Sequence, residues 1–300
     1  MSLLHSALPR VLPYQYCRSW LLVAASQPHK FGDAFQSPAD AVVLDLEDGV
    51  TDAARADART AVAALLRAGH KVWVRINPAT TEDWDADLAV LRDVPALRGI
   101  MLAKAEFADH VDRTAEAVPG VPIIALVETA LGIENAFEVA CAKATARIAF
   151  GSGDFRRDTA AADTPAALSY ARARLVVASR AACIAGPIDG PSLARESELS
   201  AALSVTKTMG MTGKLTLAAW QLDKINSALS PKVEEVAWAA DTVQRLGPRG
   251  ENIVDGYETP NLARAKHILC LSEVYSPLWE TSGQARRPAS AQPKSTGSGL

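Results

Sequence analysis

Asp45, Glu47 and Asp48 crowd three carboxylates into four positions, directly behind the apolar run AVVL. Acids this close repel one another and need a cation, a buried base or water. The pattern recurs along the chain. VRIN delivers Arg75 and Asn77, MLAKAE delivers Lys104 and Glu106, ALVETALG delivers Glu128, AFGSGDF delivers Asp154 and GPIDG delivers Asp189. Ionisable groups set against buried surface are where functional sites concentrate. An oxygen-rich set without a histidine cluster favours a hard cation such as Mg²⁺ over zinc, and the five histidines show no metal-ligand spacing. Glu128 and Asp154 end consecutive apolar runs, so their carboxylates are expected to meet on one Mg²⁺, with Glu47 and Asp48 accepting hydrogen bonds from metal-bound water. Arg75 is expected to fork onto a substrate carboxylate or a developing oxyanion. The glycines of Gly151–Gly153 allow close backbone approach to a ligand, although a tight turn accounts for them as well. Gly153 and Asp189 join Arg75 as candidate substrate contacts.

The elements that must position these groups alternate in type. Eight short apolar runs read as strands: Trp20–Ala24, Ala41–Leu46, Lys71–Ile76, Gly99–Ala103, Ile123–Val127, Arg147–Gly151, Cys183–Pro187 and Lys214–Ala218. Helical spacing fills the gaps at Ala53–Ala68, Asp83–Arg92, Phe107–Ala117, Ala130–Lys143, Pro165–Ala182 and Leu193–Met209. Gly69, Gly120, Gly210 and Gly213 stand where helices should stop. Eight βα units predict an α/β fold, a TIM (β/α)8 barrel with extra C-terminal helices near Lys232–Gln244 and Asn261–Val274. No Gly-rich phosphate fingerprint follows the first strand, which counts against a doubly wound sheet. The predicted organisation is an N-terminal arm over 1–17, the barrel over 18–230, a helical cap over 231–279 and a disordered Ser/Pro/Gly-rich tail over 280–300. In a TIM barrel the C-terminal strand ends form the active-site rim, so the acids fall on one face.

At 300 residues and 49% hydrophobic content the chain can bury a large core, and a net charge of −3 gives no electrostatic case for nucleic acid or an anionic membrane. No apolar run is long enough to span a bilayer. The four cysteines, Cys17, Cys141, Cys183 and Cys270, are widely spaced and read as reduced and structural, which suits a cytoplasmic protein.

VVLDLEDGV, VRINP, MLAKAE, LVETALGIENA, AFGSGDF, the PIDG turn and VEEVAWA together resemble the citrate lyase beta-subunit-like family, within the HpcH/HpaI aldolase group. The resemblance runs from about Arg18 to Leu271. It implies a TIM barrel, Mg²⁺ at Glu128 and Asp154, and a substrate-binding arginine at Arg75. It also implies cleavage of a malyl-, citramalyl- or citryl-type thioester to an acyl thioester and a 2-oxo acid, in a homotrimer or hexamer. NIVDGYETP matches the family's C-terminal segment and places Glu258, or Asp255, where a catalytic acid is expected. Two loops depart from the family pattern. Ser26-Gln27-Pro28 replaces a run that helps hold coenzyme A, leaving Lys30 as the cation there, and Ala218-Ala219-Trp220-Gln221 keeps only Gln221 of a His-Pro-x-Gln run. A carrier-protein pantetheine, a coenzyme A-independent 2-oxo acid aldolase and a non-catalytic barrel subunit are the alternatives these departures leave open.

Overall fold

The computed structural model describes residues 12–193 and 195–279. Eight parallel strands close into a barrel in sequence order: β1 (Ser19–Ala24), β2 (Ala41–Asp45), β3 (Val72–Ile76), β4 (Leu97–Leu102), β5 (Ile123–Val127), β6 (Thr145–Phe150), β7 (Ile188–Asp189) and β8 (Gly213–Thr216). The central strands are continuous β-branched and aliphatic runs because helices cover one face and the barrel interior the other. All five residues of β3 and of β5 are buried.

The helices lie where 3.6-residue spacing gives an apolar face. In α2 (Arg55–Arg67), following α1 (Phe31–Gln36), the buried side chains are Ala58, Val62, Ala63 and Leu66. Gly69, with φ of 87°, takes the left-handed conformation that ends this helix at no steric cost. Next come α3 (Glu82–Leu91) and α4 (Ala108–Ala117). The single helix expected over Ala130–Lys143 is two, α5 (Ala130–Glu134) and α6 (Ala136–Cys141), broken at Asn135. The Asn135 amide donates to the Glu106 carbonyl at 3.1 Å, tying this break to the β4 end. The helix α7 (Ser152–Thr159), unforeseen in the sequence, starts directly after β6. Gly153 within it and Gly151 just before it have poor intrinsic helix propensity, which hides it. Then follow α8 (Ser169–Ala181), α9 (Glu196–Thr208) and α10 (Leu222–Ala228).

Two expectations are corrected. The seventh strand lies at Ile188–Asp189, not Cys183–Pro187. Cys183 has φ of 58° and ends α8, and the Gly186 carbonyl is taken by Arg147 Nε at 2.8 Å. Gly213 is not a helix stop but the first residue of β8, where a Cβ would lie 2.9 Å from an Arg147 guanidinium nitrogen. The segment expected as a loose arm is partly fixed: Leu12 is buried, and the Tyr14 carbonyl accepts from Arg147 at 2.8 Å. The expected disorder of 280–300 lies outside the described residues. Of the cysteines only Cys17 is buried, and burial raises its thiol to about 12; Cys141, Cys183 and Cys270 are exposed. All four are free thiols.

The chain divides after Leu229. The second unit holds α11 (Val233–Leu246) and α12 (Glu258–Trp279), which share a small core of Ala239, Ala265 and Ile268. Among the described residues no helix is long and apolar enough to cross a membrane.

Candidate functional site

The three acids after β2 have different fates. Asp45 turns inward. Its oxygens accept the Glu47 and Gly49 N–H groups at 3.0 and 2.9 Å, folding the loop back on the strand. They also accept Arg75 Nε and Nη2, both at 2.7 Å, in a bidentate pair across neighbouring strands. Gly49 is required here, since a Cβ would lie 2.3 Å from Asp45 Oδ2. In this structure the Nε and Nη2 edge of the Arg75 fork is therefore engaged by Asp45. Only Nη1 turns elsewhere, lying 3.2 Å from Glu47 Oε2. Burial works against the Arg75 charge, but the charges of Asp45 and Glu47 outweigh it and raise its pKa.

Glu47 is buried and Asp48 exposed. Glu47 accepts the Asp48 N–H at 2.9 Å and, through its other oxygen, the Lys104 ammonium. Glu128, one residue past β5, is 2% exposed. It accepts the backbone N–H of Lys104 at 2.9 Å. Burial, and then the negative charge of Glu47, push Glu128 up to about 8. Close approach of backbone to an acid occurs at Gly151, where a Cβ would stand 2.1 Å from Glu128 Oε2. At Gly153 a Cβ would meet nothing within 4 Å. The glycine that the geometry demands is therefore Gly151, and Gly153 is an exposed residue of the first turn of α7.

That first turn carries Asp154. Its Oδ1 pairs with Arg157 at 3.0 Å, one turn along the same helix. Its Oδ2 is buried without a hydrogen-bond partner and lies 3.4 Å from Lys104 Nζ. Glu47, Glu128 and Asp154 each bring an oxygen within 4.8 Å of the others. Buried polar atoms are almost always partnered. An orphaned carboxylate oxygen, a neighbouring glutamate with a strongly raised pKa and a convergent all-oxygen donor set together fit a hard divalent cation.

A cleft of about 420 Å³ opens beside this group, lined by Glu47, Asp48, Asn77, Lys104 and Glu106 among others. Asn77 is part of its frame. The Asn77 amide donates to Asp87 Oδ2 at 2.8 Å and to the Leu46 carbonyl at 3.0 Å, fixing the loop that carries Glu47. Asp87 is held in turn by Arg59 Nε at 2.7 Å. Glu106 accepts the Thr129 hydroxyl at 2.7 Å.

Asp189 does not join the site, which corrects its expected role as a substrate contact. Its side chain is fully buried, and it accepts Arg172 Nε at 2.9 Å, the Thr206 hydroxyl at 2.6 Å and Lys214 Nζ at 3.2 Å. Burial pushes its pKa upward, but the charges of Lys214 and Arg172 prevail and hold it below the usual carboxylate range.

The sequence pattern of the HpcH/HpaI aldolase/citrate lyase family matches residues 18–219, and that of the HpcH/HpaI aldolase C-terminal domain matches residues 234–276. The chain belongs to this family. A (3S)-malyl-CoA thioesterase of Cereibacter sphaeroides is 30% identical over 264 residues, 82% of this chain and 90% of the relative. A citrate lyase subunit beta-like protein of Mycobacterium tuberculosis is 31% identical over 270 residues, 83% and 93%. The structure of CitE from M. tuberculosis in complex with magnesium, acetoacetate and coenzyme A superposes with a TM-score of 0.71 at 27% identity, covering 86% of this chain and 99% of that one. The citrate lyase beta subunit of the same organism, solved with oxaloacetate and magnesium, gives 0.65 at 27% identity, covering 72% and 99%.

The two loops that depart from the family pattern lie at other strand ends. Lys30 closes a short 3-10 turn after β1 and is exposed. Gln221, buried after β8, accepts the Thr216 hydroxyl at 2.8 Å and donates to the Ser192 carbonyl at 3.1 Å, so it ties two loops together. Trp220 beside it is 49% exposed. In the second unit, Glu258 accepts Arg245 Nη1 at 2.6 Å and the Val254 N–H at 3.0 Å. Those bonds lower its pKa, the Val254 N–H contributing most. Asp255 accepts the Tyr257 N–H at 3.1 Å.

Sequence reasoning missed two features of the site. Lys104 was legible only as one rim charge among several, although it touches all three acids. Arg157 was passed over because α7 was not foreseen; once that helix is drawn, the i, i+3 spacing from Asp154 places the pair together.

Proposed function

We propose that this protein is a Mg²⁺-dependent carbon–carbon lyase. Its substrate is a 3-hydroxyacyl thioester of the malyl, citramalyl or citryl type, cleaved to an acyl thioester and a 2-oxo acid. The observation that carries the reading is the convergent group of buried Glu47 and Glu128 and half-buried Asp154, with one Asp154 oxygen left without a hydrogen bond at the rim of the barrel. Glu128 and Asp154 would hold Mg²⁺, and Glu47, with the exposed Asp48, would accept hydrogen bonds from water beside it. Mg²⁺ bound there supplies Lewis-acid stabilisation of negative charge on a substrate oxygen.

The remaining steps belong to the chain. Arg75, locked by Asp45, holds a fixed positive charge beside Glu47 and needs no reorganisation as charge develops. Glu47 and Asp48, through water, take the proton of the substrate hydroxyl as the C–C bond breaks. The departing thioester enolate needs a proton in return, which the resemblance of the C-terminal run assigns to Glu258. To donate it, Glu258 has to leave Arg245 and the Val254 N–H and first take up a proton from solvent. The thioester carrier is coenzyme A or a carrier-protein pantetheine, and the exposed Trp220 offers a flat apolar surface on the loop after β8.

A second reading is favoured by the relatives named malyl-CoA thioesterases: hydrolysis of the thioester with no C–C cleavage. The products separate the two. Incubation with Mg²⁺ and malyl-CoA or citramalyl-CoA is expected to yield a 2-oxo acid, trapped as its phenylhydrazone, in step with acetyl-CoA. Release of free thiol together with the intact hydroxy acid, and no 2-oxo acid, would transfer the assignment to hydrolysis.

A further inference from the structure

Among the described residues, Lys104 is the one that touches all three acids of the candidate metal site. Its N–H donates to Glu128 at 2.9 Å, its ammonium donates to Glu47, and the same ammonium lies 3.4 Å from the unpartnered Asp154 Oδ2. Its backbone is in the left-handed region, with φ of 47°. A residue with a Cβ adopts that conformation only where its surroundings impose it; here it lets N–H and side chain serve the same cluster. The side chain is 27% exposed and lines the cleft. A lysine ammonium sits on a flexible stem and re-aims easily.

An ammonium on Glu47 and Asp154 and a divalent cation on the same carboxylates draw on the same lone pairs, and like charges at this range repel. Both cannot be fully coordinated at once. We propose that Lys104 is a resident counter-cation of the acid group. The divalent ion displaces it, and its ammonium is then delivered into the cleft to meet an anionic group of the substrate. The inference rests on the metal-site reading above. It adds a specific consequence: the metal and an anionic ligand bind cooperatively through one side chain. Until the metal arrives, the ammonium that would greet the ligand is engaged by Glu47.

The test uses the full-length protein and two independent kinds of readout, ligand affinity in Lys104→Met and amine reactivity in wild type. Titration calorimetry of Mg²⁺ into wild type and Lys104→Met is expected to show tighter Mg²⁺ binding in the variant, by about tenfold, the middle of the usual range for coupled sites. Oxaloacetate binding at saturating Mg²⁺ is expected to weaken in the same variant. In wild type, trace amine labelling read by mass spectrometry is expected to show Lys104 becoming more reactive when Mg²⁺ saturates. This second readout decides alone if Lys104→Met does not fold. Mg²⁺ affinity that is equal or lower in a folded Lys104→Met protein would overturn the proposal, as would Lys104 reactivity that stays flat or falls with Mg²⁺. No Mg²⁺ binding to wild type would overturn the metal reading and this inference with it. Mg²⁺ binding with Lys104 unresponsive would overturn this inference alone.

Discussion

The acid rim at the ends of β2, β5 and β6 and the network around Asp189 both bury carboxylates, but they treat them differently. Around Asp189, one acid meets two bases and a hydroxyl, and both of its oxygens are engaged. At the rim, Asp45, Glu47, Glu128 and Asp154 meet Arg75, Lys104 and an Arg157 side chain that is 68% exposed. One Asp154 oxygen there has no hydrogen bond at all. The first arrangement is complete without any further group. The second leaves one carboxylate oxygen without a hydrogen bond, which the proposed Mg²⁺ would engage. Burial alone does not separate structural acids from functional ones; the state of the last lone pair does.

The comparison can be broken from the Asp189 side first, where the largest stability effect is expected. Asp189→Asn leaves Lys214 and Arg172 buried without their counter-charge and should cost about 3–5 kcal/mol by urea unfolding. The pH dependence follows from its depressed pKa. The unfolded carboxyl takes up its proton first, so the stability due to Asp189 is fully present above its unfolded pKa of about 4. That stability is lost as pH falls through the lower folded value. Unfolding curves across this acid range should therefore slope less in Asp189→Asn than in wild type. An unchanged slope would mean that the pair contributes nothing to acid stability.

On the rim the sign reverses. Glu128→Gln removes a buried carboxyl whose charged form is disfavoured by burial and by Glu47, so the metal-free protein should be no less stable than wild type while turnover falls by about 10³-fold or more. Loss of folding stability comparable to Asp189→Asn would make Glu128 a structural acid and erase the distinction between the two regions. Arg75→Lys sharpens the boundary. Lysine keeps the charge but cannot hold both Asp45 oxygens in plane, so turnover should fall by about 10–100-fold, the usual cost of losing an outer positioning partner. Retained kcat/KM in that variant would reduce Arg75 to a diffuse charge. The smallest effect is expected at Glu258: Glu258→Gln should lower kcat by about tenfold, less than the roughly 10²–10⁴-fold typical of a general acid because water can stand in for a surface donor, with Mg²⁺ affinity unchanged. Full activity would pass the proton-donor role to Asp255 or to water.

Much of this was legible because a strand buried on both faces must be almost wholly apolar. A charged residue at its end therefore announces where the strand stops and the rim begins. That logic found seven of the eight strands nearly in place and brought Glu47, Glu128 and Asp154 to one face. It failed at β7, whose two residues are too few for a pattern, and at α7, where Gly153 and the preceding Gly151 mask a helix. It could not rank the acids of Asp45–Asp48, because pairing with Arg75 is a contact between strands and leaves no local trace. It treated Asp189 as a rim group for the same reason: Arg172, Thr206 and Lys214 come from three separate elements. It also preferred Gly153 to Gly151, a choice that only the position of the Glu128 carboxylate decides.

The central claim is that Glu128 and Asp154 hold a divalent cation, and Mg²⁺ titration calorimetry on wild type, Glu128→Gln and Asp154→Asn tests it most directly. Wild type should bind one Mg²⁺ per chain, and both variants should lose at least about tenfold in affinity while remaining folded. Mg²⁺ affinity undiminished in both variants would contradict the assignment.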